Sequence, residues 1–194
     1  MTEKIDIKYG GEYERNLVDI FIEKSTTDEK KKDVMLVYVH GGLWKDGDKK
    51  QYHHLKAIIG SEKLKERYDQ LMLCILNYPL STVENGIVDP VHVTECSRAI
   101  NYLINQATKH YSFTSPLDVY LMGHSCGATM NTLLYFDPKN YGFDKENLNK
   151  IRGKKKNLLK KYFNEHLFGL YYSGYKAIIT LFFFFFFCIK EFFL

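Results

Sequence analysis

The sequence predicts an α/β domain built on a mostly parallel sheet flanked by helices. Short strand-like runs of β-branched and aromatic residues alternate with segments of helical spacing. Two of the inner runs are apolar without interruption, as strands covered on both faces would be. Two glycine-containing motifs follow directly on predicted strands, at the strand ends where such sheets place their chemistry.

The elements follow in order. Ile5 to Tyr9 and Leu17 to Ile22 read as two antiparallel opening strands; in the second, Val18, Ile20 and Ile22 alternate with Asp19 and Phe21. After a charged turn from Ser25 to Asp33, the run Val34 to Val39 is an inner strand that ends at His40-Gly41-Gly42. Gln51 to Lys65 reads as a helix and Gln70 to Asn77 as a second buried strand. Asp89-Pro90 opens the next helix, with Asp89 as N-cap and proline in the first turn. In that helix Cys96, Ala99, Ile100, Leu103, Ile104 and Ala107 keep the spacing that covers one sheet face. Leu117 to Met122 is a third inner strand, Gly123 to Gly127 follows at once, and Ala128 to Tyr135 is the next helix.

Composition narrows the function classes. With 45% hydrophobic, 15% aromatic and 26% charged residues, a disordered tail, a collagen-like chain and a multi-pass membrane protein are poor fits, and one soluble globular domain is expected. The net charge of +4, from 27 basic and 23 acidic side chains, is too mild to argue for nucleic acid. Its basic excess sits in a Lys-rich stretch from Lys150 to Lys161, read as a solvated face. Cys74, Cys96, Cys126 and Cys188 lie far apart, with no metal-site or redox-dithiol spacing, so a reduced, cytoplasmic protein without a metal is expected. The polar N-terminus lacks the apolar core of a secretory signal.

The C-terminal run Ala177 to Ile189 is free of charge but shorter than the roughly 18 residues of a bilayer-spanning helix, and Lys176 and Lys190 close it. No membrane association is expected, a tail anchor being the weaker alternative. The phenylalanines Phe182 to Phe187 have neither strand nor helix periodicity. They read as low complexity, translated from a non-coding or shifted frame.

Gly123-His124-Ser125-Cys126-Gly127 is a G-x-S-x-G between strand and helix. So sharp a turn forces Ser125 into a strained backbone, needs the flanking Gly123 and Gly127 because side chains there would collide with backbone, and leaves the serine hydroxyl protruding. A plain glycine turn could give the same five residues; the order strand, pentapeptide, helix is what argues for a nucleophile. The helix start places the Cys126 N–H where it can donate to an oxyanion. The second motif is His40-Gly41-Gly42-Leu43-Trp44. Its glycines let the main chain approach a substrate carbonyl, and the N–H groups of Gly42 and Leu43 can point into one small volume.

From about Lys8 to Tyr135 the sequence resembles the α/β-hydrolase superfamily, in the branch with an HGG oxyanion loop that includes carboxylesterases of the hormone-sensitive-lipase type. Within it, HGGLW is similar to the HGGxW pattern of kynurenine formamidases (arylformamidases), and GHSCGAT resembles their nucleophile elbow. Asn77-Tyr78-Pro79-Leu80-Ser81 resembles their Y-R-L-S segment, with Pro79 in place of the arginine. The resemblance implies hydrolysis of N-formyl-L-kynurenine to L-kynurenine and formate, in tryptophan catabolism, with no cofactor. Ser125 would be the catalytic nucleophile; Gly42, Leu43 and Cys126 would form the oxyanion hole; His40, Gly41 and Trp44 would complete the loop. The partner is a small N-formylkynurenine-like molecule, and a homodimer is left open.

Serine also needs a histidine to take its proton and a carboxylate to orient that histidine, in the order Ser, acid, His for this fold. Only His166 follows Ser125, preceded by Asp137 and Asp144. Both Asp144 and His166 come before the only candidate for a sixth strand, Tyr175 to Leu181, and His166 lies in a Lys-rich helix. His40 and His124 are read as support and packing, and His53, His54, His92 and His110 as structural. The expectation is therefore a partial α/β-hydrolase domain at 1–172, truncated after the elbow, with a Phe-rich tail at 173–194. Inactivity, an uncovered sheet edge and poor solubility would follow. A general carboxylesterase or lipase, and a non-catalytic remnant, are the competing readings.

Overall fold

The computed structural model describes residues 1–25, 31–113 and 117–152. Among them lies one five-stranded sheet made of β1 (Thr2–Lys8), β2 (Leu17–Lys24), β3 (Lys32–Val39), β4 (Tyr68–Leu76) and β5 (Leu117–Gly123), in the spatial order β1-β2-β4-β3-β5. β3 runs parallel to both of its neighbours, β4 and β5, while β1 and β2 are antiparallel. The parallel half is the half that carries the two motifs.

β3 shows why an uninterrupted apolar run was needed. Met35, Val37 and Val39 face one layer, and Val34, Leu36 and Tyr38 face the other. On the first side lie α3 (Val91–His110) and α4 (Cys126–Phe136); Cys96, Ala99, Ile100, Leu103, Ile104 and Ala107 of α3 are all buried there, as their spacing predicts. The other side is covered by Ile59 and Leu64, from α1 (Lys56–Ile59) and α2 (Glu62–Lys65).

Two local expectations are corrected. Gln51 to Lys65 is not one helix: a 3₁₀ helix over Lys49–Leu55 leads into α1, and Gly60 followed by an extended Ser61 breaks the chain before α2. Glycine and serine are poor helix formers, and Asp48 starts the segment two residues early through a capping box with Gln51. Asp89 is not the cap of α3 either. Pro90 occupies that position, with no side-chain cap, and its carbonyl accepts the first helical bond from Thr94 N at 3.0 Å. A proline without an N–H leaves one donor fewer to be capped.

β5 is not bare along its outer edge. Ile151 pairs with Val119 in parallel, with Val119 N to Lys150 O at 3.0 Å and Arg152 N to Val119 O at 2.8 Å, and the Arg152 guanidinium meets Asp118. Between α4 and this bridge, α5 (Lys145–Leu148) brings Asn147 onto Asn101 and Asn105 of α3, 3.1 and 3.2 Å away. The domain boundary at 172, the Phe-rich tail, Cys188, His166 and the strand expected at Tyr175 to Leu181 lie outside the described residues. Among those described, no helix is long and apolar enough to cross a membrane.

One buried charge cluster locks the edge of the sheet to the 3₁₀ segment. Lys49 is 1% exposed; its Nζ lies 2.9 Å from Asp19 Oδ1 on β2 and also meets Asp6, while His53 Nε2 reaches Asp19 Oδ2 at 2.7 Å. Burial works against the ammonium, but the two carboxylates outweigh it and hold the Lys49 pKa above its usual value. Replacing Lys49 by Met removes the charge and leaves the fully buried Asp19 short of a partner. Urea unfolding should show a stability loss of about 3 kcal/mol.

Candidate functional site

The site follows from strand register. Val39 pairs with Gly123 across the parallel β3–β5 ladder, so the two strands end at one level and the loops that leave them are neighbours. The ladder continues one bond further, from His124 N to Val39 O at 3.2 Å. Ser125 then turns the chain with φ 51° and ψ −122°, outside the regions L-residues favour, and α4 begins at Cys126. Strain of this kind persists only where the surroundings overdetermine it. Here Gly127 N donates to His124 O at 2.9 Å, Thr129 N to Ser125 O at 3.1 Å, and Asn131 Nδ2 ties α4 to Met122 O at 2.8 Å.

Close backbone approach makes glycine necessary on both sides. A methyl group on Gly127 would sit 2.1 Å from Val39 O, and one on Gly123 would sit 2.7 Å from Ala128 N. One on Gly41 would sit 2.7 Å from His124 Nδ1 and 3.2 Å from Ser125 Cβ. The His40 loop and the serine turn thus lie directly against each other.

The loop itself is strained. Gly42, Leu43 and Trp44 have φ of 115°, 53° and 61°, so two side-chain-bearing residues in succession take left-handed backbone. The Gly42 carbonyl holds the turn by accepting from Lys45 N and Asp46 N, both at 3.0 Å. Leu43 projects outward, 66% exposed. Trp44 is partly buried, its ring centroid 6.5 Å from that of His92, and its carbonyl takes Ser81 N at 2.8 Å. The amide of Cys126 is one of those that a helix start leaves without an intrahelical acceptor.

A buried polar floor lies under the loop, and most of it was not singled out from the sequence. His40 is fully buried; its Nδ1, 2.6 Å from Gly41 O, must carry the proton because a carbonyl only accepts. Tyr78, also fully buried, stacks on His40 with centroids 4.4 Å apart, and its hydroxyl reaches His40 O at 3.1 Å, Gly41 O at 3.4 Å and Cys126 Sγ at 3.6 Å. Arg15 donates to Tyr78 O at 3.2 Å and Gly47 O at 2.8 Å, so a guanidinium from the turn before β2 supports this loop while position 79 is proline. Asn77 accepts from Lys49 N at 2.7 Å and donates to Asp48 at 2.8 Å. The sequence signals for this floor were His40 and the segment Asn77 to Ser81; their partners are too distant along the chain to be seen.

The remaining candidates are placed as follows. His124, expected to face packing, is exposed, with its Nδ1 beside Gly41 of the neighbouring loop. His92 is buried with Nε2 3.0 Å from Ser81 Oγ, and that hydroxyl lies 2.6 Å from Ile87 O. Since the serine proton goes to a carbonyl, His92 donates and its role there is structural. Asp137 and Asp144 bond locally, to Asn140 at 2.7 Å and Asn147 at 3.4 Å. Among the described residues no histidine is hydrogen-bonded to Ser125 Oγ, and no group of three His, Cys, Asp or Glu side chains could hold a metal.

Comparison with known proteins matches residues 18–162 to the BD-FAE family. A kynurenine formamidase of Debaryomyces hansenii is 26% identical over 102 residues, which is 53% of this chain and 31% of that protein. In shape, a phosphonate-inhibited esterase B from Lactobacillus rhamnosis superposes with a TM-score of 0.54 at 12% identity, covering 74% of this chain and 44% of that one. A truncated carbohydrate esterase from gut microbiota gives 0.49 at 21% identity, covering 67% and 41%. The chain thus spans less than half the length of each of these relatives.

Two measurements check this geometry. Gly127→Ala forces a methyl into Val39 O and should lower stability by about 3 kcal/mol in urea unfolding. Burial holds the pKa of His40 and His92 below the ordinary 6.5, so the folded state binds fewer protons than the unfolded state just below that pH. The stability these residues contribute is complete above pH 6.5 and is lost as pH falls through the depressed values. The thermal midpoint should therefore drop less steeply between pH 6.5 and 5 in His92→Gln than in the parent.

Proposed function

The chain belongs to the BD-FAE family of α/β-hydrolase-like esterases, and on that premise we propose that it carries the acyl-transfer half of a serine hydrolase with Ser125 as nucleophile. The observation that carries this reading is the contact of Gly41 with Ser125 across two strands ending in register. Ser125 Oγ attacks the carbonyl carbon of an amide or ester, and the tetrahedral oxygen takes hydrogen bonds from the amides of Gly42, Leu43 and Cys126. Each such preorganised donor is worth about 3–4 kcal/mol of barrier where it has been removed from other enzymes. The histidine that receives the serine proton and returns it to the leaving group, and the carboxylate that orients it, belong C-terminal to Ser125 in this fold. Without them only the acceleration from the oxyanion site and binding remains.

For the substrate we favour an N-formylated arylamine of the N-formyl-L-kynurenine type, released as formate and the free amine. This rests on His40-Gly41-Gly42-Leu43-Trp44 and on the similarity to the Debaryomyces formamidase. Trp44, on the same loop as the proposed donors, is available to stack on the aryl ring. The second reading, a carboxylesterase acting on short acyl esters, is favoured by the family match.

Initial rates on N-formyl-L-kynurenine and on p-nitrophenyl butyrate, for the parent and Ser125→Ala, separate these readings. The proposal expects Ser125→Ala to lose whatever rate the parent owes to serine attack and the formamide to have the larger kcat/KM. A large preference for the ester moves the assignment to carboxylesterase. Equal rates for parent and variant would mean that no serine chemistry occurs.

A further inference from the structure

An oxyanion site works only if its amides are held in direction, and we propose that one buried hydroxyl, that of Tyr78, sets the direction of both the Gly42 and the Cys126 amide. This inference rests on the hydrolase reading above and deepens it; Tyr78 is a positioning residue and meets no substrate.

In a trans peptide unit the carbonyl and the following N–H point in opposite directions. The Gly41 carbonyl and the Gly42 N–H belong to the same unit. That carbonyl is turned inward, taking His40 Nδ1–H at 2.6 Å and the Tyr78 hydroxyl at 3.4 Å. The Gly42 N–H is therefore turned away from the floor. The same hydroxyl reaches the His40 carbonyl at 3.1 Å and so fixes the unit before it as well. On its other side it lies 3.6 Å from Cys126 Sγ, the side chain of the residue whose own amide opens α4.

The hydrogen-bonding capacity matches this arrangement. A phenol has one proton, shared here between two carbonyls, and keeps lone pairs for the Cys126 S–H. The ring has no freedom to move, being fully buried, stacked on His40, and attached to a backbone carbonyl that Arg15 holds. Burial also raises the Tyr78 pKa far above neutrality, so the donor persists at every working pH. A purely structural tyrosine would need only the ring; contacts to both halves of the site require the oxygen.

Tyr78→Phe removes that oxygen alone. With p-nitrophenyl butyrate and the full chain, kcat should fall by about tenfold while KM stays within about twofold, the pattern of an interaction used in the transition state. The Tyr78→Phe/Cys126→Ala double variant should be no slower than Tyr78→Phe, because the thiol acts through the hydroxyl. If Tyr78→Phe is unfolded at the assay temperature, Cys126→Ala alone carries the test, with an expected kcat loss of about threefold. A Tyr78→Phe enzyme with the parent's kcat, or in that event a Cys126→Ala enzyme with the parent's kcat, overturns the inference while Ser125→Ala remains inactive. Parent and Ser125→Ala hydrolysing at the same rate would overturn the hydrolase reading itself, and this inference with it.

Discussion

The structure depends on a main-chain contact: the first turn of α4 lies directly against the last residue of β3. A methyl on Gly127 would sit 2.1 Å from Val39 O and 2.6 Å from His40 O, so nothing larger than a hydrogen fits between helix and strand. That contact sets how far the serine turn stands from the loop after β3. Parallel register brings the two strand ends level, glycine lets them touch, and the strained Ser125 is held between them. Packing at this density leaves few alternative arrangements, which is how a backbone conformation that is unfavourable in isolation becomes fixed.

Polar groups under the loop complete the support. The backbone from His40 to Lys50 is held from below by Arg15, Tyr78, Asn77 and Asp48, and the 3₁₀ segment that begins there is fastened by Lys49 to Asp19. Buried groups of this kind are stabilising when satisfied and damaging when one partner is lost. Most come from the antiparallel β1–β2 edge and the end of β4, so that edge of the sheet acts as a brace for the parallel half. The strain at Leu43 and Trp44 is concentrated where this brace ends and the loop opens outward.

Much of this was legible in the sequence because it is local. Val34 to Val39 and Gln70 to Asn77 announce inner strands by being apolar on both faces, and Cys96 to Ala107 announce a covering helix by spacing. Gly123 to Gly127 states its own geometry, since that turn has few other solutions. Gln51 to Lys65 was harder, because a single Gly60-Ser61 break and a buried lysine override the helical pattern. Asp89 lost its capping role to a proline whose effect is backbone chemistry rather than side-chain capping. The polar floor was invisible for another reason. Arg15 with Tyr78, and Lys49 with Asp19, are pairings made across the fold, which no periodicity encodes.

The central claim is that Ser125 and the amides of two separate loops act on one reacting carbon. Its most direct measurement is a crystal structure of the full chain after reaction with an alkyl p-nitrophenyl phosphonate, which leaves tetrahedral phosphorus on the attacking oxygen. The account predicts phosphorus on Ser125 Oγ, with one phosphonyl oxygen about 2.7–3.1 Å from the amide nitrogens of Gly42 and Cys126. Phosphorus on another residue, no adduct at all, or a phosphonyl oxygen turned away from both amides would contradict it.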